Sequence, residues 1–269
     1  SLEVAAAFSN TPTGSYTDGD DYEYVSFTSD GTLTVTRGGL LDFVIVGGGG
    51  ASISDTGGGQ TSGGGAGGYI STLSGESSGG GASPIGAQYF GPGNYTVTVG
   101  AGGIAPGVGV GGTEGTNLAA CGRPSILGPF IAFGGGNGAR VDGSHQASGG
   151  SGGGTGYGWI AGFGTPGQGY DGESQAASGG GGGGGAGQAG GTNGSGRGGD
   201  GVQTSITGTP TYFAGGGSWG DTELTAALGG GGIRNGNGTA NTGGGAGGVN
   251  SDNGGRNGGS GIVIVRVKV

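Results

Sequence analysis

Short apolar stretches, several of them alternating with polar residues, recur along the chain and predict β-strands. Residues 32–36, 40–46, 95–99, 130–133 and 262–267 are such stretches, rich in Val, Ile, Leu, Phe and Thr. Where apolar side chains fall at every second position, they lie on one face of an extended strand. The pattern therefore predicts a mainly β framework, with strands near both ends of the chain.

The segment 24–36 has the pattern of a β-hairpin. Residues 24–28 and 32–36 are both strand-like, and the residues between them are Ser29, Asp30 and Gly31. An Asp-Gly pair is typical of a tight turn between paired strands, because glycine accepts a positive φ. We therefore expect these two strands to pair with each other.

Glycine tracts follow directly on several of the predicted strands. Residues 47–50, 134–136 and 215–217 are uninterrupted glycine, and the longest run is 179–185. Extended polyglycine favours a left-handed helix with three residues per turn and no internal hydrogen bonds. Its amides and carbonyls can bond neighbouring chains, because no Cβ keeps the chains apart. We expect the tracts to pack as polyglycine-II helices, around a central structural rod formed by Gly179, Gly180, Gly181, Gly182, Gly183, Gly184 and Gly185.

Composition supports this interpretation. Glycine supplies 87 of the 269 residues, whereas 30% are hydrophobic. Apolar burial contributes roughly 25 cal/mol per Å², and ordering each backbone unit costs about 1–2 kcal/mol, so we expect no conventional hydrophobic core. Collagen is excluded because glycine does not recur at every third position. A flexible linker would have no reason to retain strand patterns.

The expected fold is mainly β or irregular. Sandwich-like β-strands are expected to continue into a bundle of packed polyglycine-II helices joined by loops. Residues 1–22 are expected to be a linker or attachment segment, because they lack the glycine-rich pattern, and residues 23–269 are expected to form the glycine-rich domain.

Candidate catalytic chemistry is sparse, and we expect no enzyme activity, cofactor or metal ion. The chain has a single histidine, His145, and a single cysteine, Cys121. A hydrolytic triad needs a histidine beside a serine and a carboxylate, and a zinc site needs several ligands at set spacing. The acidic cluster of residues 18–23 suits a calcium ion or, equally well, a solvated acidic loop.

Net charge and hydropathy exclude two classes of partner. The formal net charge is −9, with only 8 basic residues, whereas binding to nucleic acid depends on Lys and Arg at the phosphates. No apolar run reaches the roughly 20 residues that span a bilayer. We therefore expect neither a nucleic-acid partner nor a membrane span.

A succession of short motifs covers about residues 25–269. FTSDGTLTV, LLDFVIVGGGGA, GNYTVTVGAGG, YFAGGGSWG and GGSGIVIVRV follow one another in this order. This succession resembles the glycine-rich domain of phage tail-fibre and bacterial surface proteins and, more distantly, is similar to the tip adhesins of T-even-type long tail fibres. In those adhesins, a sandwich of polyglycine-II helices carries loops that contact the host receptor.

The resemblance implies a structural, receptor-binding protein of the phage tail-fibre tip, located in the virion or at a cell surface. The implied partners are a host receptor, either a glycan or an outer-membrane protein, and other tail-fibre subunits or further copies of the chain. Two alternatives are a bacterial extracellular filament subunit, which would self-associate along open strand edges, and an ice-binding protein.

Aromatic residues in the loops between glycine tracts are the predicted receptor-binding residues. Aromatic side chains flanked by small polar residues form adaptable contact surfaces. The alternative is that some of these rings cap the glycine bundle or anchor loops. The candidates, with the acidic residues beside them, are Tyr157, Trp159, Phe163, Tyr170, Asp171, Trp219, Asp221 and Glu223.

Overall fold

The computed structural model describes residues 4–53, 61–105, 120–139, 147–156, 159–174, 179–192, 196–220, 226–249 and 254–269. Within these ranges the regular secondary structure is almost entirely β, with a 3₁₀ turn at Gly79–Gly81. The strands are β1 (Ala7–Phe8), β2 (Gly14–Asp18), β3 (Asp20–Phe27), β4 (Gly31–Arg37), β5 (Gly39–Val46), β6 (Tyr69–Ser71), β7 (Gln88–Phe90), β8 (Gly93–Thr98), β9 (Ser125–Leu127), β10 (Phe130–Ala132), β11 (Val202–Thr204), β12 (Thr211–Phe213) and β13 (Ile262–Lys268).

Two antiparallel sheets form the framework. One has the strand order β2-β3-β13-β5-β6, with β7 also paired to β5, and the other has the order β1-β4-β8-β9-β10. Strands β11 and β12 form a separate two-stranded ribbon. The first and last long strands of the chain therefore meet in one sheet, where β13 lies between β3 and β5.

The predicted hairpin over residues 24–36 is wrong. Both of its strands exist, but β3 pairs with β2 and β13, whereas β4 pairs with β1 and β8. The turn at residues 28–30 thus crosses from one sheet to the other. This crossing places Leu33 and Val35 of β4 opposite the apolar face of the other sheet, which a hairpin within one sheet would not do.

A hydrophobic core lies between the two sheets, and the expectation that the chain lacks one is wrong. Leu33 and Val97 come from the five-stranded sheet, and Phe43, Ile45 and Val263 come from the other; all five are fully buried. Aromatic rings add to the cluster, with the centroids of Phe43 and Phe130 4.7 Å apart. Concentrating a modest apolar content in paired strands is what makes this core attainable.

The second face of the six-stranded sheet is also buried. Val44 and Ile264 point away from the first core and pack in a second apolar cluster with Tyr69 and Phe213. Strands β5 and β13 are therefore apolar on both faces. This double burial explains why residues 40–46 and 262–267 are nearly continuous apolar runs.

The predicted bundle of polyglycine-II helices is wrong. The regular structure of the described chain consists of antiparallel sheets, and tracts such as 47–50, 179–185 and 215–217 are irregular segments beyond the strand ends. The apolar strands organise the fold, because their alternation buries two clusters. The glycine segments then bond to whichever neighbours the sheets bring close.

The glycine segments are buried and bonded through their backbones. Gly63 N donates to Gly181 O at 2.9 Å, and Gly183 N donates to Gly217 O at 2.8 Å. These bonds meet the requirement that buried amides and carbonyls find partners. A Cβ on Gly183 would lie 2.0 Å from Gly64 O, so the segments are too close for any side chain at that position.

The first residues of the chain take part in the sheets. Strand β1 pairs with β4, and β2 pairs with β3 along five residue pairs. Both strands lie within residues 1–22, the segment set apart on its composition. The division between residues 22 and 23 stays a prediction about domain boundaries.

Tyr69 gives the fold a titratable core group. Burial raises the pKa of the Tyr69 hydroxyl well above its usual value near 10. Because the folded state holds this proton more tightly, Tyr69 contributes stability below about pH 10 that is lost as the pH rises through its folded-state pKa.

We expect the free energy of unfolding to fall above about pH 10, by up to roughly 1.4 kcal/mol per pH unit for this one proton. Tyr69→Phe keeps the ring and removes the proton, so it should flatten the fall. Urea unfolding at a series of alkaline pH values measures the slope, with Tyr89→Phe at an exposed ring as the control. An unchanged slope in Tyr69→Phe would show that another group causes the alkaline loss.

Candidate functional site

Segment 159–164 carries two of the predicted receptor-binding residues on a backbone that is held on both sides. Ala161 N donates to Ser174 Oγ at 2.9 Å, and Gly162 N donates to Gly153 O at 2.9 Å. Phe163 N donates to Ser148 Oγ at 2.9 Å. The segment is therefore fixed to neighbouring glycine-rich segments before any partner binds.

The large side chains of this segment face solvent. Trp159 is 55% exposed, Ile160 66% and Phe163 59%, whereas Ala161 is buried between them. Large apolar side chains that stay exposed together are typical of interaction sites. Trp159 and Phe163 were predicted from their aromatic character, whereas Ile160 was missed because its sequence carries no such signal.

Phe133 adds another exposed ring from a neighbouring segment. It is 46% exposed, and it was missed because the sequence placed it in the predicted strand 130–133, whereas β10 ends at Ala132. Gly150 N donates to Gly134 O at 2.7 Å, and Gly149 N donates to Phe163 O at 3.1 Å. The two phenylalanines thus flank the same glycine segment. We call Phe133, Trp159, Ile160 and Phe163 the aromatic rim.

Asp171 supports this segment, whereas Tyr170 bonds elsewhere. Asp171 Oδ1 accepts a hydrogen bond from Gly164 N at 2.7 Å, which holds the chain just after Phe163. Asp171 also remains exposed to a partner. Tyr170 N donates to Gly185 O at 3.1 Å. The Tyr170 side chain is half-buried, and its hydroxyl lies close to Gly81.

Trp219 packs on glycine backbone. A Cβ on Gly180 would lie 2.6 Å from the Trp219 ring, and one on Gly248 would lie 2.7 Å from it. The Arg234 guanidinium stands 5.4 Å from the ring centroid, within the range of a cation–π contact. This packing agrees with the alternative that some rings anchor loops. Tyr157, Asp221 and Glu223 lie outside the described residues, as does His145.

A polar cluster on the six-stranded sheet was not found from the sequence. Arg266 on β13 donates to Asp42 on β5 and to the Tyr16 hydroxyl on β2. Its guanidinium carbon also lies 4.4 Å from the centroid of the Tyr22 ring. Arg266 and Asp42 are directly opposed in the sheet register. Only this pairing could have revealed the cluster, because its residues are far apart in sequence.

The surroundings of Arg266 stabilise its charged form and hence its ion pair with Asp42. Burial alone lowers the pKa of Arg266, but hydrogen bonds to Asp42 and Tyr16 outweigh burial, and the pKa is raised. Burial also raises the pKa of Tyr16, against the opposing effect of Arg266. The guanidinium therefore stays charged and the phenol stays neutral at physiological pH.

Two acidic residues of the β2–β3 hairpin, Asp20 and Asp21, are bonded to their own chain. Lys268 Nζ lies 2.6 Å from Asp20 Oδ1, and Thr17 Oγ1 donates to Asp21 Oδ1 at 2.7 Å. In the described ranges, no three His, Cys, Asp or Glu side chains group as metal ligands would. Cys121 is half-buried, and burial raises the pKa of its thiol.

Within the described part of the chain, no helix has the length and apolar character needed to cross a bilayer.

Comparison with known families identifies the chain at the level of its domain. A family model described as a glycine-rich domain matches residues 27–268, which is nearly the whole sequence. No curated protein matches the chain. The match begins at the last residue of β3 and ends at the last residue of β13, so it includes β4 to β13 and the glycine segments but leaves out β1, β2 and most of β3. The protein therefore belongs to the glycine-rich domain family.

Proposed function

We propose that this protein is a non-catalytic attachment protein, the structural and receptor-binding part of a phage tail-fibre tip. The aromatic rim contacts the host surface receptor, which is a glycan or an outer-membrane protein. The observation that carries the proposal is the exposure of Trp159, Ile160 and Phe163 on a backbone fixed by hydrogen bonds. The order of glycine-rich motifs supports the tail-fibre setting.

The physical case rests on preorganisation. A flexible loop must be ordered on binding, which costs about 0.5–1.5 kcal/mol for each immobilised side chain. The rim backbone is already bonded at Ala161, Gly162 and Phe163, so much of the ordering has taken place before contact. Its rings are then free to bury apolar area against a partner, and aromatic residues commonly dominate such interfaces.

The experiment compares two double variants of the full chain. Trp159→Ala with Phe163→Ala removes the rim rings, whereas Tyr89→Ala with Ile104→Ala removes two other exposed apolar side chains, which are 71% and 64% exposed. Fluorescently labelled proteins are bound to a panel of bacterial strains and measured by flow cytometry.

We expect the rim variant to lose binding by about tenfold or more, because interface aromatics often contribute 2 kcal/mol or more each. The control variant should bind like the parent protein. Circular dichroism and thermal unfolding confirm that both variants fold. Equal cell binding by the rim variant and its parent would contradict the proposal.

The edge strands of the two sheets are relevant to the alternative function, a filament subunit. Within the described residues, β2 is at one edge of the six-stranded sheet, and β10 is at one edge of the other, where the Gln168 side chain bonds to Ile131 O and Phe133 N. Edge strands can recruit strands of a second copy. Sedimentation velocity over a range of protein concentrations distinguishes the two functions, because a filament subunit would form growing polymers and an attachment protein would keep a fixed size.

A further inference from the structure

A polar groove crosses one end of the six-stranded sheet, and it shares no lining residue with the aromatic rim. It consists of three adjoining cavities of about 210, 430 and 410 Å³. The first and second share Tyr22, Asp42 and Arg266, and the second and third share Glu76 and Ser205. These shared residues make the three cavities one elongated surface.

We propose that this groove is a second binding site, which takes a neutral oligosaccharide. Its elongated shape fits a chain of several sugar units better than a compact ligand. The proposal does not depend on the function assigned to the aromatic rim.

Polar side chains supply the hydrogen-bonding groups. The acceptors are Asp18, Asp42 and Glu76, and the donor is Arg266. Ser74 and Ser205 can act as both. Sugar hydroxyl groups need this mixture, since each one donates and accepts. An apolar ligand would find few partners along such a lining, because burying polar groups without hydrogen bonds is costly.

Two lining side chains contain buried polar atoms without a hydrogen bond in the described chain. Glu76 Oε1 accepts from Ser205 N at 2.7 Å, whereas Glu76 Oε2 has no partner. Arg266 uses its two terminal nitrogens, but its Nε has no partner. Buried polar atoms are nearly always satisfied in proteins. Both atoms are shielded from solvent, so a ligand in the groove reaches them only if these side chains turn toward it.

The charge of the groove selects among saccharides. It is lined by Asp18, Asp42 and Glu76, against Arg266 and Lys268. Both cations are already paired, Arg266 with Asp42 and Lys268 with Asp20. An anionic polymer would therefore meet unpaired carboxylates. Neutral sugars avoid this repulsion and can donate hydroxyl hydrogen bonds to the carboxylates.

The β11–β12 ribbon lines one end of the groove. Gln203 and Tyr212 are directly opposite each other on the two strands and line the third cavity. Gln203 is exposed and Tyr212 is half-buried. A tyrosine ring combines an apolar face with a polar hydroxyl, which suits the mixed surface of a sugar.

The first test measures ligand class. The full chain is titrated calorimetrically with malto-, cello- and chito-oligosaccharides from disaccharide to hexasaccharide, with hyaluronan fragments as the anionic comparison. We expect at least one neutral series to bind, with affinity that rises with length until the groove is filled, and hyaluronan to bind much more weakly. Failure of every neutral series, or equal binding of hyaluronan, would overturn the proposal.

The second test locates the site with matched variants. Tyr212→Ala and Asp18→Asn should each weaken oligosaccharide binding, about tenfold for Tyr212→Ala. Tyr89→Ala and Asp30→Asn make the same chemical changes at exposed residues outside the groove lining and should leave the affinity unchanged. The rim variant, Trp159→Ala with Phe163→Ala, should keep oligosaccharide binding while it loses cell binding. Equal affinity in Tyr212→Ala, Asp18→Asn and the parent protein would place the ligand elsewhere.

Discussion

Gly217→Ala is expected to destabilise the protein by roughly 1–3 kcal/mol or more, although it adds a single methyl group. A Cβ at this position would lie 1.8 Å from Ala246 O and 2.4 Å from the Ala246 carbonyl carbon. The neighbouring backbone would have to move, and Gly217 also donates to Gly64 O and accepts from Gly183 N. The methyl group would therefore disturb hydrogen bonds to two other segments.

Thermal unfolding of Gly217→Ala measures this cost, and each kcal/mol corresponds to about 2–4 °C in a chain of this size. Gly91→Ala is the matched control, because its Cβ would meet only the Tyr95 hydroxyl, at 3.8 Å. The control should be neutral or slightly stabilising, since it restricts the unfolded chain. Equal midpoints for Gly217→Ala and Gly91→Ala would show that the close packing of these segments contributes little to stability.

Phe43→Ala is expected to cost about 3–5 kcal/mol. Phe43 is fully buried between the two sheets and lies against Phe130 and, edge to face, Phe90. Truncation removes apolar burial and leaves a cavity that the surrounding strands cannot readily fill. This is the sharpest test of the hydrophobic core, because a fold held mainly by glycine backbone contacts would tolerate the change.

Denaturant unfolding provides the measurement, with Phe133→Ala as the control at a ring that is 46% exposed. The control should change the free energy of unfolding far less, because much of its surface already faces water. A loss below about 1 kcal/mol for Phe43→Ala would mean that the inter-sheet cluster is loosely packed.

Most of the long strands could be predicted closely from the sequence, although β3 begins at Asp20, four residues before the predicted strand 24–28. Residues 40–46 and 262–267 correspond to β5 and β13, and residues 95–99 overlap β8. These strands carry enough consecutive or alternating apolar residues for the period of two to be visible. Residues 130–133 also indicated the three-residue strand β10. The other three-residue strands, β6, β7, β9, β11 and β12, were not predicted, because three residues are too few to establish a period of two.

Local sequence patterns could not predict which strands pair with each other. Residues 24–36 have the local signal of a hairpin, yet β3 and β4 belong to different sheets. The choice depends on residues more than 200 positions away, because β13 supplies six residue pairs to β3. A long register that buries both faces of β13 outweighs a favourable turn.

The predicted receptor-binding residues likewise fall into those that the structure leaves exposed and those that it packs against backbone. Trp159 and Phe163 were selected as aromatic residues in glycine-rich loops, and both are exposed in the structure. The same reasoning selected Trp219, which packs against Gly180 and Gly248. Composition identifies an aromatic ring, but only its neighbours in space decide whether the ring faces solvent or covers backbone.

The sequence by itself determined the glycine-rich character, the scarcity of catalytic groups and the main apolar strands, because these properties belong to single residues or to their nearest neighbours. The tertiary structure alone decided that the chain has a hydrophobic core and two antiparallel sheets instead of a bundle of glycine helices. It also assembled the polar groove, whose residues Asp18, Asp42, Glu76 and Arg266 are spread over most of the chain. Such properties depend on which distant segments meet, and that is settled by the total apolar surface that the sheets bury together.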